Sequence, residues 1–171
     1  MRDRSSAVNR LRAASAVVLV AVGAALVVPT VAPGLLAGGD YERTTVVAYD
    51  DNGTELATVH VRVADTYAKR YTGLSDTETL ARNEGMLFVH DREARHTYVM
   101  RDMAFPLDIV FVDANGTVTT IHHAELPPPG TSDGELAPYP GRGKYVLEVR
   151  YGWTNRTGVD VGDRIVVAGE Y

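Results

Sequence analysis

Between Gly85 and Asp113 the chain sets three short apolar runs around a compact polar centre, Met100-Arg101-Asp102, and a Pro-Leu-Asp step at 106–108 opens the third run. Runs of this length bounded by turn residues predict strands, here at Met86–His90, Thr97–Arg101 and Ile109–Val112. The same signals recur on both sides. Thr44–Tyr49 and Ala57–Val63 predict two more, with Ala57, Val59, Val61 and Val63 sharing one face of the second. Val118–His122, Tyr145–Arg150 and Arg164–Ala168 complete a set of eight. Asp50-Asp51-Asn52-Gly53 and Asn115-Gly116 have the composition of hairpin turns, because Asn-Gly tolerates the positive φ that tight turns need.

Helical signals are few. Asp65 is placed to cap a short helix carrying Tyr67 and Tyr71, stopped by Gly73. Ser75-Asp76-Thr77-Glu78 has capping-box spacing and predicts a second. The stretch 127–143 holds five of the eight prolines and four glycines and predicts a loop. The expected fold is mainly β: one antiparallel sandwich or barrel-like domain with one or two short helices.

This domain is expected over residues 40–171. Before it, Arg2, Arg4, Arg10 and Arg12 precede a run from Ala13 to Gly39 without a single charge. A run that long spans a hydrocarbon core of ~30 Å as helix, and it exceeds the ~7–15 apolar residues of a signal-peptide core. Residues 1–39 are thus expected to be a basic N-terminus plus a transmembrane anchor over 13–36. The arginines hold the near end in the cytoplasm and leave the domain outside. The alternative is a cleaved signal, processed at Ala37-Gly38-Gly39, which would release a secreted domain.

Charge narrows the function. The chain carries −5, and the part after Gly39 carries −8 once the net +3 of the N-terminal end is set aside. Only Lys69 and Lys144 are lysines. Such an acidic, lysine-poor surface suits high salt, so a halophilic archaeal source is expected. Nucleic acid is not an expected partner, since binding it requires basic patches.

An ordered series of short motifs points to a family. Arg70 with Gly73-Leu74, Gly85-Met86-Leu87-Phe88, Met100-Arg101-Asp102, Pro106-Leu107-Asp108-Ile109, Tyr145-Val146-Leu147-Glu148 and Gly158 through Gly162-Asp163 together resemble the domain-of-unknown-function 192 family. The resemblance implies a compact β sandwich, often behind an export signal, and no activity or cofactor. At the polar centre the family's aromatic-Trp-Met-Lys-Asn-Thr is here Tyr98-Val99-Met100-Arg101-Asp102-Met103, so Val99 replaces a Trp and Asp102 an Asn.

Charged residues at matching positions lie beside apolar runs, where an unpaired charge is costly. They define a candidate ligand pocket of Arg70, Met86, Met100, Arg101, Asp102, Asp108 and Glu148. In it arginines would hold an anionic or polyhydroxy ligand against carboxylates. The competing reading is a set of ion pairs fixing turns and strand ends. Glu148, between Leu147 and Val149, is its sharpest member and needs a partner or a pocket. Met86, Met100 and Met103 with His90 and His96 offer soft ligands for Cu(I), but core packing explains them better, and no metal or cofactor is expected. The adjacent His122-His123 point to opposite faces of a strand, so at most one reaches any given site. Asn52, Asn115 and Asn155 each open an Asn-x-Thr sequon open to glycosylation in an exported chain.

Two functions follow as expectations. One is a membrane-tethered extracytoplasmic domain that binds a small ligand or a protein partner. The other is a hydrolase-type enzyme using Asp102, Asp108 or Glu148 as acid or base.

Overall fold

The computed structural model describes residues 41–171. The expected anchor or signal segment and its processing site lie outside the described residues, as does the domain boundary at 39–40. Among the described residues no helix is long and apolar enough to cross a membrane.

Seven strands form one curled sheet in the order β5-β4-β6-β3-β2-β1-β7. They are β1 (Arg43–Tyr49), β2 (Glu55–Ala64), β3 (Glu84–Tyr98), β4 (Leu107–Val112), β5 (Val118–Ala124), β6 (Tyr139–Arg150) and β7 (Arg164–Val167). Two short helices interrupt them, α1 (Tyr67–Thr72) and α2 (Trp153–Thr157). The edge strands meet at one corner, where Thr117 bridges Arg164 and Val118 N–H donates to the Asp163 carbonyl at 2.9 Å. The sheet therefore curls into a half-barrel rather than dividing into two packed layers.

Several expectations need correction. Met86–His90 and Thr97–Arg101 belong to one strand, β3, whose pairing with β6 shifts register between Val89 and Ala94. Arg101 lies beyond its end. The sheet is not wholly antiparallel: β2 and β3 run parallel, His60 opposite Glu84 through Ala64 opposite Phe88. Parallel neighbours need a crossover, and α1 with the segment after it supplies one. The Pro/Gly-rich stretch is not all loop, because β6 begins at Tyr139. A side chain at Gly141 would collide with the Phe111 ring, so this glycine admits an aromatic neighbour instead of breaking the strand. Finally, Ser75-Asp76-Thr77-Glu78 starts no helix. The Ser75 hydroxyl donates to the Arg101 carbonyl at 2.9 Å and buried Thr77 accepts from Arg62 Nη2 at 2.8 Å, so tertiary partners take the hydroxyls a cap would use.

Both hairpin turns form as expected. Asp50 and Asp113 each accept two backbone N–H groups across them, and Gly53 and Gly116 adopt positive φ. In α1 the N-cap is Thr66, which accepts from Lys69 N–H, while Asp65 pairs with the Lys69 ammonium at 2.9 Å. Gly73 closes the helix, as expected.

Alternation along the strands gives the sheet two apolar faces. One buries Val46, Val59, Val61, Leu87, Val110, Leu147 and Val149, closed by Trp153 of α2. The other buries Met86, Phe88, Ile109, Phe111 and Val146 beneath Leu74, Met100 and Leu107. Each fully buried side chain of this kind contributes roughly 1.5–3 kcal/mol. Glu148 belongs to the second face, opposite Met86 on β3 and Ile109 on β4.

Candidate functional site

On that second face a cavity of about 430 Å³ opens between α1 and the far half of β3. α1 brings Tyr67, Arg70 and Tyr71; the turn after it brings Gly73, Leu74 and Ser75. β3 brings Phe88, His90, His96 and Tyr98, the next turn brings Val99, Arg101 and Met103, and Glu148 of β6 completes the lining.

Glu148 is 5% exposed, and among the described residues no side chain forms an ion pair or hydrogen bond with its carboxyl. Burial pushes its pKa up to about 8. Near neutral pH it is a carboxylic acid, with one O–H to donate and oxygens to accept.

Two arginines line the same cavity, each fixed by backbone. Arg70 Nη1 donates to the carbonyls of Asp65 and Val89, both at 2.7 Å. Both hydrogens of that nitrogen are thereby used, and the Nε–Nη2 edge keeps its donors. Arg101 donates from Nη2 to the Tyr71 carbonyl at 2.6 Å and lies over the Tyr71 ring, 4.1 Å from its centroid. Asp102 approaches Arg101 Nε at only 3.9 Å, and its side chain is largely exposed.

The imidazoles of His90 and His96 stack with centroids 3.6 Å apart. Burial lowers the His90 pKa to about 4, with further lowering from His96 and Arg70 against a weaker upward pull from Asp91. His96 is lowered by burial and by Arg70, against an upward pull from the Gly143 backbone. His96 Nε2 is buried without a hydrogen-bond partner among the described residues. His90 Nε2 and the Tyr98 hydroxyl share a hydrogen bond of 3.0 Å. Burial, and next the Glu148 carboxyl, raise the Tyr98 pKa, so its hydroxyl stays protonated. At neutral pH the cavity thus combines two cations with neutral donors and acceptors.

The sequence-derived candidates divide. Arg70, Arg101 and Glu148 come together in this cavity. Met86 and Met100 pack into the apolar core behind it, as the core reading holds. Asp102 turns outward. It is the one non-glycine among the described residues with left-handed φ, 54°, a conformation that Asp and Asn tolerate best, so its role lies in the backbone.

Asp108 is elsewhere and fully committed. It is 0% exposed; Oδ1 accepts from Gly152 N–H at 2.9 Å and His123 Nδ1 at 2.8 Å, and Oδ2 from the Thr154 N–H and hydroxyl at 2.9 and 2.8 Å. It anchors the first turn of α2, as the staple reading of these charges holds. Asp163 likewise ties a turn, accepting from Asp160 N–H at 2.7 Å. The three sequon asparagines, Asn52, Asn115 and Asn155, are all exposed. Among the described residues no three His, Asp or Glu side chains gather as a metal site.

The pocket set of charges did not include His90, His96, Tyr98 or the Tyr67–Tyr71 pair. No spacing along the chain announced them: six residues of regular strand would hold His90 and His96 roughly 20 Å apart, and the rings meet only because β3 loses register with β6 between Val89 and Ala94.

Residues 47–167 match the domain-of-unknown-function 192 family, described as an uncharacterized ACR, and the chain belongs to that family. None of the curated proteins matches. Two solved structures do. A candidate transcription regulator from Sinorhizobium meliloti 1021 is 29% identical, with a TM-score of 0.69 over 78% of this chain and 99% of its own. A protein of unknown function from Novosphingobium aromaticivorans DSM 12444 is 26% identical, with a TM-score of 0.64 over 80% of this chain and 98% of its own.

Proposed function

We propose that this protein is an extracytoplasmic β domain, tethered to the cell membrane through residues 13–36, that binds a small polar ligand in the cavity between α1 and β3. The observation that carries the proposal is Glu148: a buried carboxyl without a protein partner, in a cavity shared with two arginines. A buried polar group left unpaired is costly. Each arginine is held by protein carbonyls yet keeps N–H groups to spare. Preorganised donors lining one cavity with an acid and with the unpartnered His96 Nε2 are what a small-ligand site requires.

The hydrolase alternative draws less support. Asp102 is exposed, Asp108 is consumed by four hydrogen bonds and Glu148 lines the cavity alone. The three carboxylates occupy three places, so they form no catalytic pair in one cleft. The name of the Sinorhizobium relative suggests transcription. A chain of net charge −5 offers little basic surface for DNA.

Two measurements test the proposal. Full-length protein is screened by saturation-transfer nuclear magnetic resonance against small anions, polyols and zwitterions. At least one compound is expected to bind wild type and to be lost in Glu148→Leu, which fills the cavity floor. If no compound depends on Glu148, the pocket reading fails. Protease added to intact cells is expected to degrade residues 41–171, and full protection in the cytoplasm would reject the topology.

A further inference from the structure

We infer that the ligand of this cavity is a sugar acid: one pyranose-sized ring carrying a carboxylate, either free or at the end of a chain. The inference rests on the pocket reading above and assigns its ligand class.

Three groups of residues supply three kinds of contact. The first is for a carboxylate. With both Nη1 hydrogens of Arg70 given to Asp65 and Val89, the Nε–Nη2 edge remains. That edge is the fork whose two parallel N–H groups match a carboxylate bidentately. It is preorganised, because two backbone carbonyls hold the guanidinium.

The second is for the apolar face of a ring. Tyr67 and Tyr71 are 77% and 60% exposed at the cavity mouth, large values for aromatic rings. They form a stack with Arg101: Tyr67 to Tyr71 with centroids 6.2 Å apart, then the Arg101 guanidinium 4.1 Å from the Tyr71 centroid. One neighbour supports Tyr67 from behind and its other face is open. Tyrosine gives broad, rigid contact area at small entropic cost, suited to the C–H face of a sugar.

The third is for hydroxyls. Glu148, neutral when buried here, both donates and accepts, and the buried His96 Nε2 has no partner among the described residues. Neutral imidazoles and a neutral acid do not repel a carboxylate held by Arg70, and they match alcohol groups that serve equally as donor and acceptor. A simple inorganic anion would use only the arginines. A neutral sugar would use only the tyrosine and the neutral polar groups. A cavity of about 430 Å³ lies in the size range of small-molecule sites, ~300–1,000 Å³.

The test uses the full-length chain in a polyoxyethylene detergent, which has no sugar headgroup to compete. Glucuronate, glucose, acetate and a three-unit oligouronate are titrated by calorimetry. Glucuronate is expected to bind about tenfold or more tighter than either glucose or acetate. The exposed Tyr67→Ala is expected to weaken glucuronate about fivefold or more and leave acetate within about twofold. The oligouronate separates the sources: tighter binding of the oligomer identifies a chain end, tighter binding of the monomer a free sugar acid. Acetate binding as tightly as glucuronate would reduce the cavity to an anion site and overturn the inference. So would glucose binding as tightly, or uronates failing to bind at all. If uronates fail while another compound in the screen depends on Glu148, the sugar-acid assignment falls and the pocket reading survives.

Discussion

His90 and His96 lie face to face on β3, ring centroids 3.6 Å apart and planes within 12°, bringing two imidazoles together beside Arg70. The register shift between Val89 and Ala94 makes this possible, since it lets the strand continue while both rings reach one cavity. Two imidazolium ions could not share this space, and burial already disfavours charging either one.

The acid limb of stability follows from that pair. His90 has a folded pKa of about 4 against an ordinary 6.5, so the unfolded chain binds more protons between those values. That contribution is full above pH 6.5 and declines as pH falls toward 4. The Glu148 carboxyl opposes it over much of the same window, so chemical denaturation from pH 7 to 4 is followed in Glu148→Gln, where it should show this decline, and adding His90→Phe should make it shallower. An equally steep limb in the variant would remove His90 as its origin.

Glu148 acts in the opposite sense. Its folded pKa, raised to about 8 from an ordinary 4.5, means that the folded chain binds more protons over that window. This contribution is fully present below pH 4.5 and is lost as pH rises through 8. Glu148→Gln should therefore be more stable than wild type at pH 9 by several kcal/mol and nearly equal at pH 4. Glu148→Leu should be tolerated as well, since among the described residues no positive partner is stranded. A loss of ~3–5 kcal/mol in the Leu variant would instead indicate a broken buried pair.

Asp108 is expected to behave as a staple. Asp108→Ala strands the Gly152 and Thr154 amides, the Thr154 hydroxyl and His123 Nδ1 together. Each unsatisfied buried donor costs ~1–3 kcal/mol, so a loss of ~3–5 kcal/mol is expected after partial relaxation. Urea unfolding measures it, with ligand binding at the α1–β3 cavity retained wherever the variant is folded. A neutral substitution would disprove the role.

Gly141 is expected to be intolerant for steric reasons alone. Gly141→Ala places a methyl into the Phe111 ring, whereas an alanine at Gly134 meets open space. Overpacking of this kind costs ~1–3 kcal/mol. Thermal melts of the two variants side by side should show a large drop for the first and almost none for the second.

Much of this molecule is legible in local sequence. Asn52-Gly53 and Asn115-Gly116 form their turns, Gly73 stops α1, and alternation in β2 places Val59, Val61 and Val63 on buried positions. These signals work because backbone φ, capping bonds and side-chain parity act within a few residues. The ordered motifs from Arg70 to Asp163 were likewise enough to reach the family, whose match spans 47–167. What lay beyond reach was the partner of each charge. Asp108 and Glu148 both follow an apolar residue in similar strands, yet one meets Thr154, 46 residues away, and the other meets an open cavity. The same limit hid the parallel pairing of β2 with β3 and the fusion of two expected strands into one. A carboxylate's environment is set by whatever distant segment the sheet order brings against it, and no spacing along the chain encodes that meeting. Sequence determined which residues face inward; only the tertiary structure decided which buried acid is tied by hydrogen bonds and which lines a cavity.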